Sequence, residues 1–326
     1  MSVMNVFSLL GGLSLFLFGM KIMGEGLERT AGNRLKNILN IVTHNRVLAV
    51  LAGMGITAVI QSSSATTVMV VGFVNAGLLS LTQAVGVIMG ANIGTTVTSL
   101  MLSVKLDFGM IFACLGLALS ILPKKHPTAR AFGEVLMGLG ILFVGMDTMS
   151  GAMEPLRDWQ LFREAMTSIN NPLLGVLIGA GITAILQSSS ASVGILQALA
   201  GEGLISLHAS IYILFGQNIG TCVTALLASS GTNATAKRAA MVHLLFNVLG
   251  TILFMIISLT LPFADWVISL SPENMRLQIA IVHVIFNVTT TAVLLPLAKW
   301  LERAACLLVR GKDGRGESMR LKYFDS

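Results

Sequence analysis

Twice in the chain a carboxamide is followed at once by three hydroxyls, as Gln61-Ser62-Ser63-Ser64 and as Gln187-Ser188-Ser189-Ser190. A hydroxyl can donate to an oxyanion or place an oxygen on a cation, and an amide can do either. More hydroxyls follow at Thr66, Thr67 and Ser192, and each set precedes a second polar run, Gly90-Ala91-Asn92-Ile93-Gly94-Thr95-Thr96 or Gly216-Gln217-Asn218-Ile219-Gly220-Thr221-Cys222. No Lys or Arg lies within these runs, so a bound phosphate-like anion needs cations beside it to balance its charge. That is a physical reason to expect sodium. A hydrolase pairing one serine with His243 or His283 fits poorly, because it needs a single activated nucleophile and the serines come as two equivalent sets. The chain is therefore not expected to be an enzyme or to carry a cofactor beyond sodium as a coupling ion.

The elements that must hold these residues are set by composition. Of 326 residues, 54% are hydrophobic and 11% charged, whereas soluble domains carry about 25% charged residues. An all-α integral membrane protein is the class this permits. A net charge of +6 could suggest nucleic acid, but the basic residues sit in short clusters between apolar segments, which a membrane explains and a nucleic-acid surface does not. Cys114, Cys222 and Cys306 are isolated and make neither a disulfide framework nor a zinc site. The first apolar run, from Val3 to Met20, has no preceding Lys or Arg and is expected to stay in the mature protein rather than act as a signal peptide.

About 20 apolar residues make one crossing. Residues 3–23, 131–151, 238–261 and 276–300 meet or approach that length, and 108–122 falls short of it; all five read as continuous helices. Residues 47–79 and 173–205 are split by the Gln-Ser-Ser-Ser runs into arms too short to span, and read as re-entrant helical hairpins with tips at mid-membrane. Residues 80–104 and 206–229 are long enough, but their central glycines, amide and hydroxyl predict discontinuous helices.

A shift of 126 positions superposes these features without a gap: residues 53–100 and 179–226 share 22 identities in 48. Upstream, Gly12, Gly19, Met23 and Glu28 fall on Gly138, Gly145, Met149 and Glu154. The predicted organisation is repeat 1 over 1–126, repeat 2 over 127–261, a final transmembrane helix within 262–305 and a basic cytoplasmic tail over 306–326. A hairpin that returns to its own side leaves each repeat with an odd number of crossings, which inverts the second copy; transporters with inverted-topology repeats place their site at the interface between them. Assigned to sides on this scheme, the basic residues divide as 17, from Lys21 to Lys322, against Lys105, Arg157, Arg163 and Arg276. The positive-inside rule then puts the N-terminus outside and the C-terminus in the cytoplasm. His243 and Asn247 lie four apart, as do His283 and Asn287, each pair on one helix face. They suit a structural hydrogen bond, a proton relay or the anion route. Residues 25–46 and 153–171 read as interfacial amphipathic helices.

The doubled Gln-Ser-Ser-Ser runs, each followed by Gly-x-Asn-Ile-Gly-Thr at 90–95 and 216–221, resemble the type II sodium-phosphate cotransporter family over nearly all of residues 1–305. The resemblance implies sodium-coupled transport of inorganic phosphate at the two tips. With the residue chemistry it assigns Ser62, Ser63, Ser64, Ser188, Ser189, Ser190, Thr66 and Ser192 to phosphate, and Gln61, Gln187, Asn92, Asn218, Thr95 and Thr221 to sodium. Thr96, His243, Asn247, His283 and Asn287 stand as supporting residues. Sulfate, arsenate or a dicarboxylate is the alternative cargo. A bacterial-type inner membrane is the expected location, and a homodimer is a candidate assembly. The large extracellular loop of animal members and the cytoplasmic regulatory domain of some bacterial ones are not found in these residues. Asp107 is a candidate for the acidic residue that binds an additional sodium in electrogenic members.

Overall fold

The computed structural model describes residues 3–31, 45–104, 109–122, 127–160 and 171–311. Every regular element among them is helical: α1 (Val3–Ala31), α2 (Arg46–Ile60), α3 (Ser63–Asn75), α4 (Leu81–Ser103), α5 (Gly109–Ser120), α6 (Pro127–Met153), a 3-10 segment (Glu154–Asp158), α7 (Pro172–Leu186), α8 (Ser189–Gly201), α9 (Leu207–Gly220), α10 (Cys222–Ala228), α11 (Ala234–Thr260), α12 (Phe263–Leu270), α13 (Met275–Leu294) and α14 (Ala298–Leu308). Six described stretches are long and apolar enough to cross a membrane: Val3–Thr30, Leu81–Ser103, Pro127–Leu156, Leu207–Ala228, Ala234–Thr260 and Met275–Leu294. The chain is an integral membrane protein. α5, with 12 residues, is about 18 Å long and falls short of a bilayer core of ~30 Å.

The two Gln-Ser-Ser-Ser runs make helical hairpins with the same local chemistry. The Asn45 side chain caps α2 by accepting from the Val47 N–H, and Asn171 caps α7 by accepting from Leu173 and Leu174. Each arm ends on its glutamine in the left-handed conformation, Gln61 at φ 59° and Gln187 at φ 53°. Their N–H groups return to the carbonyls of Thr57 and Thr183. One residue later Ser62 and Ser188 start the next helix, their hydroxyls accepting from Ala65 and Ala191. Arms of 15 and 13 residues, about 22 and 20 Å, are each too short to span.

The discontinuous helix expected over 80–104 is not found. α4 runs unbroken from Leu81 to Ser103 behind a Ser80–Gln83 capping box. In the second copy the helix is interrupted only at Thr221, whose dihedrals stay helical at φ −57° and ψ −28°. The glycines that suggested unwinding have another purpose. A β-carbon at Gly53 would strike the Val87 carbonyl oxygen, and one at Gly90 would strike that of Val50. The same collisions recur at Gly179 with Ile213 and at Gly216 with Val176. They let α2 lie against α4, and α7 against α9, with backbones almost touching, as small residues do between membrane helices. The polar side chains are satisfied on their own helix: Asn92 Nδ2 donates to the Ile88 carbonyl at 2.9 Å and Thr95 Oγ1 to that of Ala91 at 3.1 Å.

α1 and α6, equivalent under the 126-residue shift, also meet along glycines. A β-carbon at Gly12 would fall 2.9 Å from the Gly145 carbonyl oxygen, and one at Gly19 would fall 2.6 Å from that of Gly138. As one helix rises in number the other falls, so the pair is antiparallel. The contact from Gly12 to the equivalent of Gly19 is matched by one from Gly19 to the equivalent of Gly12. Phe16 and Met23, both fully buried, fill the seam with Leu142, Met146 and Met149.

The final crossing is shorter than expected. α13 ends at Leu294 because Pro296 has no N–H and its ring crowds the carbonyl four residues back. The amphipathic α14 follows, packed through Ala298, Leu301 and Ala305. Residues 25–31, expected in an interfacial helix, continue α1. The rest of that helix over 32–44, most of its counterpart over 161–170, Asp107 and the tail from 312 onward lie outside the described residues.

Candidate functional site

The hairpin tips meet. Ser63 Oγ lies 3.3 Å from Ser189 Oγ, a residue against its own equivalent 126 positions on, and both side chains are buried. Ser64 Oγ reaches the Gln187 carbonyl at 3.5 Å, so the second tip is held by the first on two sides. α3 and α8 both begin here, and the first N–H groups of a helix have no intrahelical acceptor and carry the positive end of its dipole. Two such ends with the Ser63, Ser64 and Ser189 hydroxyls between them suit an oxyanion without any basic side chain.

The Ser62 and Ser188 oxygens cap the helices that carry the other serines, accepting from the Ala65 and Ala191 N–H groups. The Thr66 hydroxyl donates to the Ser62 carbonyl at 3.1 Å and accepts from Thr57 Oγ1 at 3.0 Å. Thr183 Oγ1 donates to Ser192 Oγ at 2.7 Å, the equivalent bond in the second copy. Thr57 and Thr183 were missed in the sequence reading. The signal available was Gly-Ile-Thr-Ala repeated at 55–58 and 181–184, inside the identities already counted.

Gln61 is fixed by two bonds. Its Nε2 donates to the Ala58 carbonyl, and its Oε1 accepts from Thr98 Oγ1 at 2.8 Å, which ties the first tip to α4. On the second side Gln217 Nε2 donates to the Ser192 carbonyl at 3.0 Å, tying α8 to α9. Asn218 turns its amide to the Leu214 carbonyl and presents Oδ1 to His283 Nε2 at 3.3 Å, which links α9 to α13. Thr221 Oγ1 donates to the Gln217 carbonyl at 2.9 Å and Thr96 Oγ1 to that of Ile93 at 2.7 Å.

The His-Asn pairs differ. Asn287 Nδ2 donates to the His283 carbonyl, and Asn247 Nδ2 to both the His243 carbonyl and Cys222 Sγ. His283 thus has the structural hydrogen bond its position suggested. Both ring nitrogens of His243 are buried without a partner among the described residues. No group of three or more His, Cys, Asp or Glu side chains that could hold a metal forms among the described residues. A cation here would be held by hydroxyl, amide and carbonyl oxygens, which suit a hard monovalent ion.

The model of the Na+/Pi-cotransporter family matches residues 15–151 and 156–271. The chain belongs to that family. It is 34% identical over 302 residues to the uncharacterized protein YqeW of Bacillus subtilis, covering 91% of this chain and 96% of that one. It is 30% identical over 336 residues to the putative inorganic phosphate export protein YjbB of Escherichia coli, covering 99% of this chain but 59% of that longer protein. The human sodium-dependent phosphate transport protein 2C is 43% identical over 94 residues, 27% of this chain and 16% of its own. No solved structure matches the chain.

Proposed function

We propose that this member of the family moves inorganic phosphate together with sodium by alternating access, binding both where the two hairpin tips meet. The observation that carries this reading is the approach of Ser63 to Ser189. A side chain that touches its own equivalent lies on the axis relating the two copies, which is where inverted-repeat transporters bind their cargo. The reciprocal glycine contacts of α1 and α6 support an inverted arrangement, as does the division of basic residues between the two sides of the membrane. On this reading the hairpins are re-entrant, the first from the cytoplasm and the second from outside. The N-terminus is outside and the C-terminus in the cytoplasm of a bacterial-type inner membrane.

Ser62, Ser63, Ser188 to Ser190 and Ser192 supply donors to the phosphate oxygens, and Ser64 and Thr66 join them by exchanging the Gln187 and Ser62 carbonyls to which they now donate. Gln61, Gln187, Asn92, Asn218, Thr95 and Thr221 supply oxygens to sodium, whose charge replaces the basic residues the site lacks. The export for which the Escherichia relative is named and the sodium dependence for which the human one is named fit a single device, because a coupled carrier runs whichever way its gradients drive it.

The test is labelled phosphate uptake into liposomes containing the purified chain. Uptake is expected to accelerate severalfold under an inward sodium gradient and to collapse when potassium replaces sodium. Liposomes preloaded with phosphate should lose it faster when sodium is placed inside. Rates indifferent to sodium would overturn the coupling, and preferential accumulation of sulfate or a dicarboxylate would overturn the cargo.

A further inference from the structure

The two tips share a sequence but not a set of hydrogen bonds. In the first, Thr98 Oγ1 donates to Gln61 Oε1 at 2.8 Å, and Thr98 is buried. The equivalents, 126 positions on, are Thr224 and Gln187. The Thr224 hydroxyl oxygen is buried with no partner among the described residues, and Gln187 is exposed. The backbone of the tips themselves gives no reason for the difference. Both glutamines are left-handed, at φ 59° and 53°, and both N–H groups return to a threonine carbonyl at 2.7 Å. The helices behind the tips differ in step with the bonds: α4 runs unbroken past Thr98, whereas the second helix is interrupted at Thr221, three residues before Thr224.

We infer that Thr98 and Thr224 are positioning residues that hold the two tips in turn, Thr98 fixing Gln61 in the state seen here and Thr224 fixing Gln187 in its complement. This rests on the alternating-access reading, in which each copy adopts in one state the conformation the other has in the opposite state. A buried hydroxyl without a partner costs free energy in this state and recovers it in the complement, so each threonine favours one state. The pair keeps the two states close in free energy, as a carrier that must visit both requires.

The test is hydrogen–deuterium exchange of the full chain in lipid nanodiscs, followed over the tip segments 60–66 and 186–192. Thr98→Val is expected to speed exchange in the first segment and slow it in the second, each by about fivefold, the population change one hydrogen bond carries. Thr224→Val is expected to do the reverse, and Thr98→Ser and Thr224→Ser to match the parent. Thr224→Val removes no bond present in this state, so it remains informative where Thr98→Val fails to fold. Loosening of only the altered residue's own tip, movement of both tips in one direction, or no response overturns the inference. Opposite shifts in a chain that carries no phosphate would keep the latch and discard the cargo; phosphate transport without them would discard the latch alone.

Discussion

Gly90→Ala is expected to destabilise the protein by on the order of 3 kcal/mol, the upper end of the cost of overpacking, and to abolish phosphate transport. The added methyl collides with the Val50 carbonyl oxygen, which belongs to a helix backbone and cannot rotate aside as a side chain would. α2 must then move off α4, carrying Gln61 away from Thr98. Gly216→Ala should behave alike, because its methyl meets the Val176 carbonyl in the second copy. Gly72→Ala is the control. Nothing lies within 4 Å of its would-be β-carbon, so the substitution should stabilise α3 by up to about 1 kcal/mol through helix propensity. Thermal unfolding of the detergent-solubilised variants checks all three, and a Gly90→Ala protein melting with the parent would refute the backbone contact.

Ser63→Ala and Ser189→Ala are each expected to raise the KM for phosphate by about tenfold to a hundredfold, the range for a hydrogen bond to a charged group, with little change in melting temperature. The double variant should fall well short of the product of the two effects, because on the proposed reading hydroxyls 3.3 Å apart serve one oxyanion and the loss of either already disturbs the other. Ser62→Ala should show a different balance. Its oxygen caps α3, so a stability loss of about 1 kcal/mol should accompany any change in KM. Uptake kinetics in liposomes beside melting curves separate the two patterns. Unchanged KM in both Ser63→Ala and Ser189→Ala would place the anion elsewhere.

The helix breaks at Gln61-Ser62 and Gln187-Ser188 were legible because their signals are local. Two short apolar arms around a polar run leave few alternatives in a membrane, and the 126-residue shift doubled the signal. The continuity of α4 was not legible. Glycine beside asparagine and threonine in a long apolar segment has two opposite meanings, an unwound turn or a face cleared for another backbone, and only the identity of the neighbour decides. Gly90 has the Val50 carbonyl over it, a fact held in residues 40 positions away. Asn92 and Thr95 were likewise ambiguous in the sequence: Asn92 Nδ2 and the Thr95 hydroxyl each donate to their own helix, at Ile88 and Ala91, which leaves their oxygens for a cation. Thr98 stood in the counted identities, yet nothing in its type or spacing said it would reach Gln61 rather than its own helix. His243 and His283 share a hexapeptide pattern, and only their neighbours set them apart: Asn218 bonds one ring, and neither nitrogen of the other has a hydrogen-bond partner among the described residues.

The antiparallel seam of α1 and α6 has a mechanical consequence. Where helices meet through interlocking side chains, rotamer changes let them slip by small steps. At Gly12, Gly19, Gly138 and Gly145 the two backbones themselves come within reach, and the buried Phe16, Met23 and Met149 fill the spaces between, so there is little to rearrange. The two helices form one stiff beam, contributed in equal parts by the duplicated halves. On the alternating-access proposal the hairpin tips swing about this beam, and a covalent cross-link along it, unlike one between the hairpins, should leave turnover intact.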